Sequence, residues 1–297
     1  MAAAADERVA LAAFVAGSVL AGGNAVAIRF SNRELDPLWG ATVRFTLAAL
    51  VLLAAMAVLR LRFPRGRALA GAVLFGALTF GGAFALAYYA LVELHAGFGQ
   101  TLLALVPLLA LLLAVLQRQE QVRRSAVAGA LLAIAGVAVM TQVSLGDDVQ
   151  FRSVLAALAA AACFAEAAVL VRGFPRVHPV TMNAVAMATG AALLLPASLV
   201  AGEAATVPER AATWAAIGYL VVVGSVVVFV LYIVVLEHWT ASRASYEFVL
   251  IPIVTVGLSA WLDDEPVGVG LVIGGLFVLA AVYVGALRSA RADPGHA

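Results

Sequence analysis

The sequence predicts an all-α integral membrane protein, with ten transmembrane helices arranged as two inverted five-helix repeats. Three observations carry this. The composition is too apolar for a water-soluble domain, ten apolar segments each have the length of a membrane span, and one half of the chain superimposes on the other. Of 297 residues, 64% are hydrophobic and 12% charged, and the mean hydropathy is +1.06. Soluble domains average about 45–50% apolar and about 25% charged residues, so lipid is the natural solvent for this chain. A net charge of +1 gives no footing for nucleic acid. The single Cys163 excludes an intramolecular disulfide framework and a multi-cysteine metal site.

A helix needs about 20 apolar residues to cross the hydrocarbon core. The first segment, 9–28, is longer than the roughly 7–15 residues of a signal-peptide core, and only Arg8 precedes it against Asp6 and Glu7, so it reads as a retained span. The second, 37–58, opens on Pro37. The third, 68–90, carries Gly81–Gly82, and the fourth, 98–116, carries Pro107. The fifth covers 125–143 and the sixth 153–171. The seventh, 179–200, opens on Pro179, and the eighth covers 212–236. The ninth, 244–262, carries Pro252, and the tenth, 267–287, carries Gly274–Gly275. The links are short, with no room for a soluble domain. All eighteen basic residues are Arg. With a cytoplasmic N-terminus, thirteen fall in inside segments and four (Arg29, Arg33, Arg152, Arg210) in outside ones, while Arg44 lies within a span. That is the positive-inside pattern, and it predicts a multi-pass protein of the bacterial cytoplasmic membrane with both termini cytoplasmic.

A shift of 145 places Pro107 on Pro252, Glu120 on Glu265, Gly129 on Gly274 and Ala96 on Ala241. A shift of 142 places Pro37 on Pro179. The domains are therefore expected at 1–146 and 147–297. Five spans per half is an odd number, so the second half enters the membrane from the opposite side. Inverted repeats of this kind are typical of secondary transporters with a midplane site between the halves.

The paired pattern of Pro in spans four and nine, followed by Glu and a Gly-rich span, resembles the EamA family of the drug/metabolite transporter superfamily. The opening GSVLAGGNAVAIRF, followed by Pro37 and Val43–Phe45, looks like that family's first repeat. The resemblance implies a central cavity, peripheral fifth and tenth helices, and export of amino acids or related metabolites. The YddG-type exporters of aromatic amino acids are one group to which the chain could belong. Glu166 departs from the common pattern, where a neutral residue is expected.

Charged groups inside a bilayer cost about 2.5–3.5 kcal/mol or more, so they are paired or functional. Arg44 could attract a substrate carboxylate or anchor span two. Glu166 and Glu247, toward the cytoplasmic side, could bind an amino group, take up a proton, or meet headgroup water. The shift of 142 sets Asn24 on Glu166, giving each repeat a polar group at one position. Tyr88 and Tyr232 lie in corresponding spans, and Gln100 opens span four. These seven residues are the substrate-binding candidates. Pro107 and Pro252 each remove an intrahelical hydrogen bond and are the hinge candidates. The glycine pairs, including Gly22–Gly23, permit close helix approach.

No span carries a Ser/His or His/Glu pattern, and His95, His178, His238 and His296 all lie in links or the tail. No catalytic residue, metal site or cofactor is therefore expected. No Walker A loop is present. The expected partners are a small-molecule substrate and the lipid bilayer, with the protein a monomer or homodimer. A carrier of drugs or other metabolites is the alternative, ahead of a channel or an intramembrane enzyme.

Overall fold

The computed structural model describes residues 2–118, 124–144, 151–171, 173–228, 231, 235 and 247–284, and among these the chain is helical with no strand. In chain order, α1 is Ala2–Ser31, α2 Pro37–Val58, α3 Arg67–Glu93, α4 Ala96–Leu116, α5 Arg124–Ser144, α6 Phe151–Val171, α7 Pro179–Val200, α8 Ala211–Val227, α9 Glu247–Leu262 and α10 Val269–Val282. Six of them (residues 8–31 of α1, then α2, α3, α4, α6 and α7) are long and apolar enough to cross a membrane. Apolar stretches in α5, α8, α9 and α10 are shorter.

The helices start and break where the sequence dictates. Pro37 and Pro179 occupy the first turns of α2 and α7, where a missing N–H and a fixed φ cost nothing. In α4 the helix stops at Leu103 and resumes at Val106, with Pro107 in the first turn of the second piece. Pro107 has no N–H to give the Leu103 carbonyl four residues back, and its ring crowds that carbonyl; the first helical piece ends at Leu103. In α9 the helix runs unbroken through Pro252.

The packing obeys an approximate two-fold exchange of the halves. Helix α1 packs on α9 and α8 as α6 packs on α4 and α3. Helix α3 lies on α7 as α8 lies on α2. The pairs α2–α7, α4–α9 and α5–α10 each relate to themselves. The α3–α7 crossing is close because Gly76 faces the backbone of Ala186, and Gly190 faces Phe80. A methyl at either position would collide.

Both α3 and α8 loosen into a π-helical stretch, Ala77–Ala83 in one and Tyr219–Val227 in the other. The shift of 142 maps Ala77 onto Tyr219, so the two π segments begin at equivalent positions. π-helical turns are rare and frequently sit at functional sites.

Candidate functional site

Arg44 lies seven residues into α2, roughly 10 Å along its axis, and is 1% exposed. Its Nε donates to Ser225 Oγ at 3.4 Å. Ser225 in turn donates to the carbonyl of Leu220 at 2.8 Å, five residues back, as the π-helical backbone there allows. The guanidinium carbon lies 4.9 Å from the ring centres of both Phe45 and Phe84, within cation–π range. Further rings continue from these two. Phe80 stacks on Phe84, and Phe164 of α6 meets Phe84 edge-on at 5.2 Å.

Three buried polar atoms gather here without hydrogen-bond partners: Arg44 Nη1, Asn24 Oδ1 and the Tyr88 hydroxyl. Tyr88 is fully buried and its hydroxyl neighbours the Arg44 guanidinium. Room for Asn24 comes from Gly224 in the α8 π segment. A Cβ at that position would overlap Asn24 Oδ1 and come within 3.3 Å of Arg44 Nη2. Tyr219 closes the group from the other side, with its hydroxyl donating to the carbonyl of Leu20 at 2.5 Å across Gly23. Helices α1, α2, α3 and α8 thus converge on a cation that forms no ion pair among the described residues. An unpaired buried charge costs several kcal/mol, so an arrangement like this suits an anionic visitor, with the Asn24 amide and the tyrosine hydroxyl as auxiliary hydrogen-bonding groups.

Of the remaining candidates, Gln100 lines a narrow gap with Ala25, Ala87, Ala90, Leu91, Gly99, Leu103 and Ala157. Ala25 and Ala87 directly follow Asn24 and precede Tyr88, so Gln100 belongs to the edge of the same region. Glu166 does not. It lies fifteen residues into α6, near the opposite end of the bundle, and both its carboxylate oxygens accept from Gln117 Nε2 at 2.8 Å. Asn24 and Glu166 therefore occupy equivalent positions in the two repeats without meeting. Glu247 opens α9, its side chain lying outside the described residues, as does Tyr232.

The end of the bundle that carries Arg29 is laced by polar contacts between the halves. Arg29 Nε stands 2.8 Å from Glu265 Oε1 and 3.3 Å from Asp263 Oδ2, and Arg33 pairs with Asp263. Glu265 also accepts the backbone N–H of Ala96 at 2.9 Å. Glu203 accepts the N–H groups of Leu38 at 3.1 Å and Trp39 at 2.7 Å, capping α2 from the loop after α7. Glu34 accepts from Thr213 and from the N–H of Arg210. The Thr213 bond, ahead of the opposing effect of burial, holds its carboxyl below the usual glutamate range.

Sequence reasoning missed Ser225, Tyr219, the phenylalanine cluster and the π segments. One signal was available: the shift of 142 also places Gly76 on Gly218 and Gly82 on Gly224. The same shift places Arg44 on Ala186 and Ser225 on Ala83, so only one of the two equivalent positions is charged.

The profile of the EamA-like transporter family matches residues 8–142 and again 151–286. A comparison with curated proteins gives no match. A solved crystal structure, described only as that of a protein, aligns over 96% of this chain and 98% of its own, with a TM-score of 0.66 and 20% identity. At that identity the likeness shows the fold alone.

Proposed function

Because the chain belongs to the EamA-like transporter family, matched twice along its length, and is thereby a multi-pass membrane transporter, we propose that it is a secondary, alternating-access exporter of amino acids, aromatic or other neutral, or of related small metabolites. The observation that carries this reading is Arg44, 1% exposed and with an unpartnered Nη1 among the helices of an apolar bundle. A polar group held there is in the place for a solute between inverted repeats.

In this reading all ten helices cross the bacterial inner membrane and both termini are cytoplasmic. The Arg29–Glu265 end faces outward and is shut in this state, the arginine count on the links favouring that orientation. The Gln117–Glu166 end faces the cytoplasm, where Glu166 is the candidate proton site. One proton moving across ~100 mV supplies about 2.3 kcal/mol, enough to drive accumulation.

The test is flux into liposomes holding the purified protein, with a panel of labelled amino acids, with and without a pH gradient. Saturable uptake of one chemical group, competed by its analogues, supports the carrier. Uptake only with the gradient adds proton coupling, and no movement under either condition sinks the amino-acid reading.

A further inference from the structure

Resting on that reading of the site, we infer that the solute is recognised as a carboxylate with an apolar flank, and that an amino group on it is dispensable: the substrate class is organic monocarboxylates, of which amino acids are one member. Three observations lead there.

Among the described residues the site holds one full charge, and it is positive. Arg44 is buried, its Nη1 is unpartnered, and no ion pair reaches it among the described residues. A planar guanidinium matches a carboxylate with two parallel donors, so a carboxylate satisfies both its charge and its unused N–H groups.

Among the described side chains, no acid stands by Arg44 to receive an ammonium. Within the spans the acidic residues are Glu93, Glu166 and Glu247. Glu93 accepts from Arg152 and Ser153 at the Arg29 end. Glu166 is engaged by Gln117 near the other end. Glu247 opens α9, and its side chain lies outside the described residues. What surrounds Arg44 instead is neutral or aromatic: Asn24, Tyr88, Ser225, Phe45 and Phe84.

The flank is apolar. Phe45, Phe80, Phe84 and Phe164 form one connected set of rings beside the guanidinium, with centres 4.9–5.8 Å apart along the chain of contacts. Rings so placed favour an apolar or aromatic tail on the bound acid.

The experiment compares four probes of one shape on the full-length protein: 3-phenylpropionate (acid only), phenylalanine (both groups), phenethylamine (amine only) and phenylalaninamide (no carboxylate). Binding is read by calorimetry in detergent and flux by counterflow in liposomes. The expected result is that the acid and the zwitterion bind within about tenfold of each other, while the amine and the amide bind about thirtyfold or more weakly, as for loss of a buried charge partner. Arg44→Gln should abolish binding of the acid. Should that variant fail to fold, Asn24→Asp keeps the test open, since it installs a fixed carboxylate beside the guanidinium at a position where the other repeat already holds an acid, Glu166. It should leave the protein at least as heat-stable as the parent and weaken the acid by about thirtyfold or more. Binding of the amine or amide as tight as that of the acid, absence of acid binding, or acid binding unchanged in Asn24→Asp overturns the inference while flux of any probe leaves the carrier standing. Arg44-dependent acid binding with no flux of any probe does the reverse, keeping the anion site and sinking the carrier.

Discussion

Glu265, in the turn between α9 and α10, accepts the backbone N–H of Ala96 at 2.9 Å and stands 2.8 Å from Nε of Arg29. One carboxylate thereby ties the first turn of α4 to the end of α1, both in the first repeat, from a loop of the second. A helix N-terminus and a guanidinium are each favourable neighbours for negative charge. Burial pushes the Glu265 carboxyl up, but the His95 side chain, the Ala96 N–H and the charge of Arg29 together outweigh it and hold the group below its ordinary value of 4.5.

The sign of the pH effect follows. A depressed carboxyl contributes stability that is present above about pH 4.5 and is lost as pH falls through the lower folded value. Thermal melting of the purified protein should therefore move to lower temperature as pH drops below that point. Glu265→Gln should lose about 1.5–3 kcal/mol near neutrality, typical of a hydrogen bond to a charged group, and should flatten the acid limb. Parallel acid limbs for parent and variant would refute the assignment.

Glu203 bridges the halves at the same end by capping Leu38 and Trp39. Glu203→Ala removes that cap and should cost about 1 kcal/mol, in the range of lost N-caps. Glu203→Gln retains one acceptor and should cost less, with differential melting in one detergent as the measure.

The two π segments offer a paired comparison. A Cβ at Gly82 would meet only ordinary contacts, with Ala77 O at 3.6 Å and Cys163 Sγ at 3.7 Å, whereas one at Gly224 would displace Asn24. Gly82→Ala should leave flux within about twofold and raise stability by up to ~1 kcal/mol, as for Gly→Ala in a helix. Gly224→Ala should reduce flux at least about tenfold by filling the space beside Arg44. Equal effects at both positions would show that the cluster around Arg44 is not the site.

Glu166 and Gln117 supply a further test. Glu166→Gln keeps an acceptor for Gln117 and removes the titratable group. If Glu166 carries the driving proton, the variant should retain exchange of solute at equal pH and lose accumulation under a pH gradient. Accumulation in the variant equal to that of the parent would remove Glu166 from the coupling.

Much of this architecture was legible in the sequence, for physical reasons. A span announces itself by length and apolarity, and a co-registered Pro or Glu survives an inversion of topology. Arg44 stood out because a charge in an apolar run is costly. Its surroundings were not legible. That Asn24, Tyr88, Ser225 and Gly224 meet it is decided by how α1, α3 and α8 cross α2, and no local periodicity encodes those crossings. The π stretches were hidden because one extra residue in a turn barely disturbs an apolar pattern. Equivalence to Asn24 under the repeat places Glu166 in the matching half of the bundle, beside Gln117 rather than Arg44.

The lone Arg44, with Ala186 at its symmetry mate, has a consequence for kinetics. A carrier whose two conformations were related by an exact two-fold exchange of its repeats would hold its solute equally well from either face. A charge on one side of the pseudo-axis lifts that degeneracy, so in the proposed carrier half-saturation is free to differ between the faces. For a passive cycle, detailed balance then requires the maximal velocities to differ in the same ratio. Net flux down equal and opposite gradients would then differ between the two directions at saturating solute and coincide at low solute.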